Sequence, residues 1–389
     1  MRPVYTTKPI GDVQSLAAAL GMSKSTLLDL ANIAETQYTH FTIPKASGKP
    51  RYVSSPHHDL KIVQKRINRS VFGNVNYPDY LYGGIEDRDY VRNARAHAGS
   101  GALIALDVKN FYPSIQTQRV REIFKYFCNF PDSVAELLTK LTTAQGAVPQ
   151  GACTSSHLAN LVFHDTEHRI VREFSQQSLR YTRLLDDISI SAIRELPPSR
   201  ITLIIEKVRS MLHQKGFRLR TDKTRVTSAS NPKQLMEVTG LWLNRGTPRA
   251  HRSERIAIRT EVRSCERKFT ISRTNPDYHK EHNRVSGRIS KLTYLGHFEA
   301  KAYRIRLEAI LPMYDQIEIN RTLRLVRVIC ATPAHDRSKL SYIDRYYDVV
   351  YRLGILARSN PHLAVAERRK VVAHSPSAKR DHVIYGTGA

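Results

Sequence analysis

The sequence predicts an α+β fold in which an antiparallel sheet carries helices on one face. Between residues 102 and 227 the elements run strand, helix, helix, hairpin, helix, strand. Ile188-Ser189-Ile190-Ser191 alternates apolar and polar side chains, as a strand does when one face lies against helices. The segments between strands repeat apolar residues at helical spacing instead; Ile201, Ile204, Ile205, Val208 and Leu212 do so over 199–215, and Gly216 stops the run.

Taken in order, residues 12–36 read as short helices, with Leu16, Ala17 and Leu20 one turn apart, Gly21 as a stop and Ser23 or Ser25 as the next cap. Residues 38–54 read as a hairpin turning at Gly48-Lys49-Pro50. Over 57–72, Leu60, Val63, Ile67 and Val71 share one helical face and Lys61, Lys65, Arg66 and Arg69 line the other. Residues 102–107 form an apolar strand ending in Asp107, and Pro113 suits a first helical turn. Residues 154–174 are expected as one helix, capped by Thr154, Ser155 or Ser156. Strand-like segments Arg180–Arg183 and Ile188–Ser191 flank Leu184-Leu185-Asp186-Asp187, and short strands are expected near 224–227 and 236–243. From residue 250 the pattern turns helical and basic, with 17 Lys+Arg against 9 Asp+Glu over 251–330. Beyond Asn360, Ser375-Pro376-Ser377, Gly386 and Gly388 suggest a loosely ordered tail.

Composition narrows the function. The 389 residues hold 61 Lys+Arg against 35 Asp+Glu, a formal net charge of +26, which points to a polyanionic partner, above all nucleic acid. A hydrophobic content of 41% supports real cores. The apolar runs, such as Ala102 to Leu106, are too short for a bilayer, so no membrane is expected as a partner. Cys128, Cys153, Cys265 and Cys330 form no C-x-x-C pair, which excludes a disulfide framework and fits a cytoplasmic location.

Three carboxylates carry the chemistry. Asp107 ends an apolar strand, and Asp186 and Asp187 sit at a tight bend beside Leu184 and Leu185. An Asp-Asp pair at a hairpin tip is also ordinary turn chemistry. Adjacent carboxylates in apolar surroundings repel, however, and persist more readily with a divalent cation between them. Carboxylates converging from neighbouring strands can hold two Mg²⁺ about 4 Å apart, the arrangement that phosphoryl transfer uses.

At this point the residues resemble a family. Leu106-Asp107-Val108-Lys109-Asn110-Phe111-Tyr112-Pro113 is similar to motif A of reverse transcriptases, and Val148-Pro149-Gln150-Gly151-Ala152 to motif B. Leu184-Leu185-Asp186-Asp187 stands where motif C belongs, Lys215-Gly216-Phe217 through Asp222-Lys223-Thr224 resembles motif D, and Ile43 to Arg51 resembles the basic fingers hairpin. These motifs are collinear over roughly residues 40–245. Asn93-Ala94-Arg95-Ala96-His97 resembles the N-A-x-x-H of region X in retron enzymes, and Val238-Thr239-Gly240 the V-T-G of their region Y.

The resemblance implies a right-hand polymerase: an N-terminal helical segment (1–37), fingers (38–100), palm (101–248), thumb (249–330) and a basic C-terminal extension (331–389). It implies that Asp107, Asp186, Asp187 and the Val108 carbonyl hold Mg²⁺, with Mn²⁺ as a substitute. Lys45, Arg51 and Lys223 would meet the dNTP triphosphate, Gln150 would position the nucleotide, and Tyr112 would exclude a ribose 2′-hydroxyl. Asn93, His97, Val238, Thr239, Gly240, Arg255 and Arg259 would touch RNA. The implied partners are a cognate structured non-coding RNA, its branched DNA product, dNTPs and a retron effector protein acting in anti-phage defence. Two departures stand out. Leu184 replaces the usual motif C tyrosine, and Cys153 and Ser156 replace prolines common in motif B.

Overall fold

The computed structural model describes residues 1–44, 48, 50–231 and 233–386, which form two compact units dividing between Pro248 and Arg249.

The first unit opens with strand β1 (Val4–Tyr5) and helices α1 (Val13–Ala19) and α2 (Lys24–Ile33). Asp12 and Ser23 cap these helices, each accepting a bond from a first-turn N–H. The hairpin β2 (Tyr38–Pro44) and β3 (Pro50–Pro56) follows, then α3 (His58–Ser70), β4 (Val75–Asn76), β5 (Leu81–Tyr82) and α4 (Tyr90–Ala96). Next come β6 (Ala102–Asp107), α5 (Phe111–Ser114), α6 (Thr117–Glu122), α7 (Asp132–Thr142), α8 (Ser155–Leu161) and α9 (Glu167–Gln176). The unit closes with β7 (Leu179–Leu184), β8 (Asp187–Ala192), α10 (Pro198–Gln214), β9 (Arg225–Ser228), β10 (Glu237–Val238) and β11 (Leu241–Trp242).

Five strands form the central sheet in the order β5-β7-β8-β6-β9. Three of its pairings are antiparallel, as expected, but the edge strand β5 runs parallel to β7. The sheet also departs from the expectation of helices on one face. Cross-strand partners share a face, so Tyr181, Arg183, Ile188 and Ile190 lie on one side and Arg180, Thr182, Ser189 and Ser191 on the other. The first side meets α9 through the Glu167 carboxylate. The second is covered in part by the end of α4, where His97 bonds Thr182 and Ser191.

The core of this unit is continuous from Leu16 to Leu219. Phe163 and Phe217 pack edge to face with ring centres 4.9 Å apart, and Phe111 leans on both. The helix expected over 154–174 is broken in two. His164 N donates to the Leu161 carbonyl and Thr166 N to Phe163, so the chain turns tightly before α9 starts at Glu167.

The second unit is helical: α11 (Arg252–Ile271), α12 (Pro276–Tyr294), α13 (Ala300–Glu308), α14 (Gln316–Ala331), α15 (Leu340–Leu356), α16 (Pro361–Val372) and α17 (Arg380–Tyr385). Two clusters hold it. Ile258, Val262, Tyr278, Val285, Ile289, Tyr303 and Leu307 join α11, α12 and α13, and Val326, Ile329, Tyr342, Val349, Leu353 and Val371 join α14, α15 and α16. No helix among the described residues is long and apolar enough to cross a membrane.

The expected loose tail is corrected by α16 and α17. Asn360 accepts the Leu363 N–H as N-cap, Pro361 begins the first turn, and Ala364, Val371 and Ile384 are buried. Polar composition concealed these few apolar anchors; Gly388 lies outside the described residues. Replacing Asn360 with Ala should cost α16 about 1 kcal/mol. Hydrogen exchange over residues 361–372 is expected to quicken accordingly, and unchanged exchange rates would count against the cap.

Candidate active site

The carboxylates meet through strand register. Asp107, the last residue of β6, is the cross-strand partner of Asp187, the first of β8. Asp187 also pairs with Leu184, so Leu185 and Asp186 alone form the loop between β7 and β8. Leu185 takes the left-handed conformation (φ 57°), a costly one for a branched L-residue. Val108 N donates to the Asp186 carbonyl at 3.0 Å, which ties the loop to the end of β6. The two-residue period places Asp107 and Asp187 on the polar side of the sheet, in line with Ser189 and Ser191.

Cations from a following turn answer the charge. Lys223 Nζ donates to Asp107 Oδ2 at 2.7 Å, Arg220 Nε lies 3.6 Å from Oδ1, and Arg220 N donates to the Asp107 carbonyl at 2.8 Å. Burial, then the charges of Asp186 and Asp107, push the Asp187 carboxyl up to about 7. Burial also raises Asp186, with Asp107 adding to it.

Among the described residues no group of three His, Cys, Asp or Glu side chains is gathered as a finished metal cage, and Lys223 holds one Asp107 oxygen. The donor set still fits a hard divalent cation. It is made of carboxylate oxygens, and burial, with repulsion from the neighbouring carboxylates, holds two of the three groups above the ordinary acid range.

Of the other expected nucleotide contacts, Tyr112 and Arg51 fall near this point. Tyr112, in α5, has its hydroxyl raised to about 12 by burial and by Asp186, with Arg51 opposing. Arg51 lies in β3 and also lowers Asp186, so Arg51, Tyr112 and Asp186 share one electrostatic neighbourhood. The Gln150 carbonyl accepts from Ser54 N at 2.8 Å, locking motif B to the fingers hairpin. Gly151 permits this approach: at φ 119° an added Cβ would stand 2.8 Å from Val53 Cγ1. Lys45 lies outside the described residues.

The expected RNA contacts divide. His97 is fully buried, bonding Ser191 Oγ through Nδ1 and Thr182 Oγ1 through Nε2, each at 2.7 Å. Burial, then Arg180, holds its pKa down near 3, so it is neutral. Asn93 is also fully buried, and Val238 nearly so. Helix and strand packing turns the side chains of these three inward. Thr239 is half-buried, and its hydroxyl donates to the Tyr90 carbonyl, which joins region Y to region X; Gly240 is exposed. In the second unit, Arg259 is exposed beside Glu299 and Tyr303, and half-buried Arg255 faces His297.

Sequence reasoning missed the buried polar residues behind the site. Gln64, on the apolar face of α3, bonds the Tyr38 hydroxyl, the Leu141 carbonyl and Cys153 N. Arg183 and Glu167 form a pair with essentially no exposure. The signal for Arg183 was present, since it shares strand parity with Tyr181 on the inward face.

Comparison with known proteins gives the family. The reverse transcriptase (RNA-dependent DNA polymerase) family matches residues 43–297. The retron Se72 reverse transcriptase of Salmonella heidelberg is 34% identical over 378 residues, covering 96% of this chain and 99% of that protein. The retron Ec48 reverse transcriptase of Escherichia coli is 29% identical over 367 residues, covering 90% and 89%. The retron Mx162 reverse transcriptase of Myxococcus xanthus is 28% identical over 264 residues, covering 60% and 54%. The chain belongs to the reverse transcriptase family and is an RNA-directed DNA polymerase with the right-hand fold of that class. Within the family it is of the retron type.

The raised Asp187 pKa sets a sign. An acid held above its ordinary 3.8 favours the fold while protonated, so its contribution is complete below 3.8 and is lost as pH rises to about 7. In metal-free protein, Asp187→Asn should therefore melt progressively higher than wild type as pH rises from 4 to 7, by on the order of 5 °C at the upper end. Added divalent cation should narrow the gap. Parallel melting curves across that range would contradict the assignment.

Proposed function

We propose that this enzyme copies its own structured non-coding RNA into DNA by two-Mg²⁺ phosphoryl transfer at Asp107, Asp186 and Asp187. One observation carries the reading: Asp107 and Asp187 are cross-strand partners, with Asp186 beside them on a loop only two residues long. When bound, the two ions would activate the attacking hydroxyl and neutralise charge on the leaving diphosphate.

The chain's own residues do the rest. The three carboxylates and the Val108 carbonyl would hold the ions. Lys223, now on Asp107, and Arg51, on the fingers hairpin, bring positive charge to where a triphosphate would lie. Gln150, fixed through its backbone to β3, would orient the nucleotide. Tyr112 would close the space beside the sugar against a 2′-hydroxyl. In domain terms, residues 38–100 are the fingers, 101–248 the palm and 249–330 the thumb, flanked by segments 1–37 and 331–389.

The retron relatives support a finer reading. The enzyme would prime from a guanosine 2′-hydroxyl of the cognate RNA and yield branched RNA–DNA, multicopy single-stranded DNA. It would act in the cytoplasm beside an effector protein in anti-phage defence. Thr239 and Gly240 in the first unit, and Arg255 and Arg259 in the second, remain available as RNA contacts. Contacts of this kind lose affinity steeply with salt.

Two experiments test this. DNA co-purifying with the protein from its native locus should run as one discrete band after RNase and shift on debranching; heterogeneous, unbranched DNA would sink the retron chemistry. Asp186→Asn/Asp187→Asn should abolish that band while RNA still co-purifies, whereas a protein acting only as an RNA scaffold would lose nothing. Separately, Tyr112→Val should raise ribonucleotide incorporation on a primed template by about 10-fold or more, a difference of about 1.4 kcal/mol in transition-state discrimination. Unchanged sugar selectivity would remove Tyr112 from the gate.

A further inference from the structure

The largest side chain wholly withdrawn from solvent is an arginine, and it sits directly behind the Asp186–Asp187 loop. Every N–H of the Arg183 guanidinium is used. Nε donates to Glu167 Oε1 at 2.6 Å and Nη2 to Oε2 at 2.8 Å. Nη2 also donates to the Asn160 carbonyl at 3.0 Å, and Nη1 to the carbonyls of Ala159 at 3.0 Å and Leu185 at 3.2 Å. The guanidinium lies over the Phe163 ring, 5.2 Å from its centre. Tyr181 completes the shell by donating to Glu167 Oε1 at 2.7 Å.

The partners fall into two groups. Ala159, Asn160 and Glu167 belong to α8 and α9, fixed helices behind the sheet. Leu185 belongs to the loop itself and is its left-handed residue. Asn160 extends the link, since its Nδ2 donates to the Gly83 carbonyl at 2.8 Å. A Cβ on Gly83 would stand 3.0 Å from Leu185 Cγ and 3.4 Å from Leu184 Cγ, so the loop is packed from that side also.

We propose that Arg183, locked by Glu167, is a positioning residue that fixes the height and tilt of the Asp186–Asp187 loop through the Leu185 carbonyl. The proposal rests on the reading that these aspartates hold the metal ions. Ion pairing alone does not explain the arrangement, because a buried pair is often replaceable by apolar residues without loss of stability. Only a planar fork of five donors reaches a carboxylate, a helix end and a loop carbonyl together; a lysine ammonium cannot.

The test uses the full chain. The double variant Arg183→Met/Glu167→Leu removes both charges and keeps apolar bulk, while Arg183→Lys keeps the charge and loses the fork. Folding is followed by circular dichroism and melting, metal affinity by electron paramagnetic resonance of bound Mn²⁺, and turnover by single-nucleotide extension of an annealed primer–template. Both variants should fold and bind primer–template as wild type does. Mn²⁺ affinity should weaken about 10-fold or more. The rate at saturating dNTP should drop about 100-fold, with KM much less affected. If the double variant does not fold, Arg183→Lys alone decides. Folded variants with wild-type Mn²⁺ affinity and rate would overturn the inference. Asp186→Asn/Asp187→Asn separates the two claims: if it still binds Mn²⁺ and polymerises, the metal reading itself fails. If it is inactive while the Arg183 variants match wild type, only the positioning role falls.

Discussion

Repulsion among carboxylates is the constraint around which the first unit is arranged. The register of β6 with β8 sets two acids directly opposite each other, a pairing that destabilises any sheet. The chain does not relieve the strain by moving the acids apart. It brings a turn carrying Arg220 and Lys223 to the end of β6, where backbone and side chains together neutralise Asp107. Asp186 and Asp187 keep elevated pKa values, through burial first and repulsion from neighbouring carboxylates second. The fold thus concentrates buried negative charge at one place on the sheet, where a divalent cation would relieve it.

Regions X and Y are tied into the sheet by their own side chains. His97 lies on the same side as the aspartates and joins β7 to β8 through two hydroxyls. As a neutral imidazole with both nitrogens engaged, it stiffens a row of small polar side chains that could not pack by themselves. Asn93, one turn earlier, is buried with neither side-chain polar atom partnered among the described residues. Thr239 then fastens region Y to the start of the same helix. Two motifs far apart in sequence thereby become one structural element.

Much of this was legible in the residues. Alternation in Ile188–Ser191, the apolar run ending at Asp107 and the Gly216 stop each reported a local rule of strand or helix, and each was obeyed. The aspartates were legible because charge beside leucines is conspicuous. What escaped was non-local. Nothing near Leu81 announces a parallel partner 102 residues further along the chain, at Arg183. His97 looked like a surface ligand because a lone histidine carries no mark of burial; Thr182 and Ser191, which satisfy it, are distant in the chain. The final helices were hidden by a polar composition in which only Ala364, Val371 and Ile384 are buried among the described residues.

The sheet's strand order also governs how the chain is made. β6 occupies an interior place, yet both its neighbours, β8 and β9, are synthesised long after it. At roughly 5–20 residues per second, its apolar side chains wait for seconds before a partner leaves the ribosome. Closing such distant pairs is slow on entropic grounds, whereas the helices of the second unit need only local contacts. The part of the molecule that carries the chemistry is therefore assembled by its most delayed contacts. Until β8 and β9 emerge, the edges of β6 stay unpaired and open to strands of other chains.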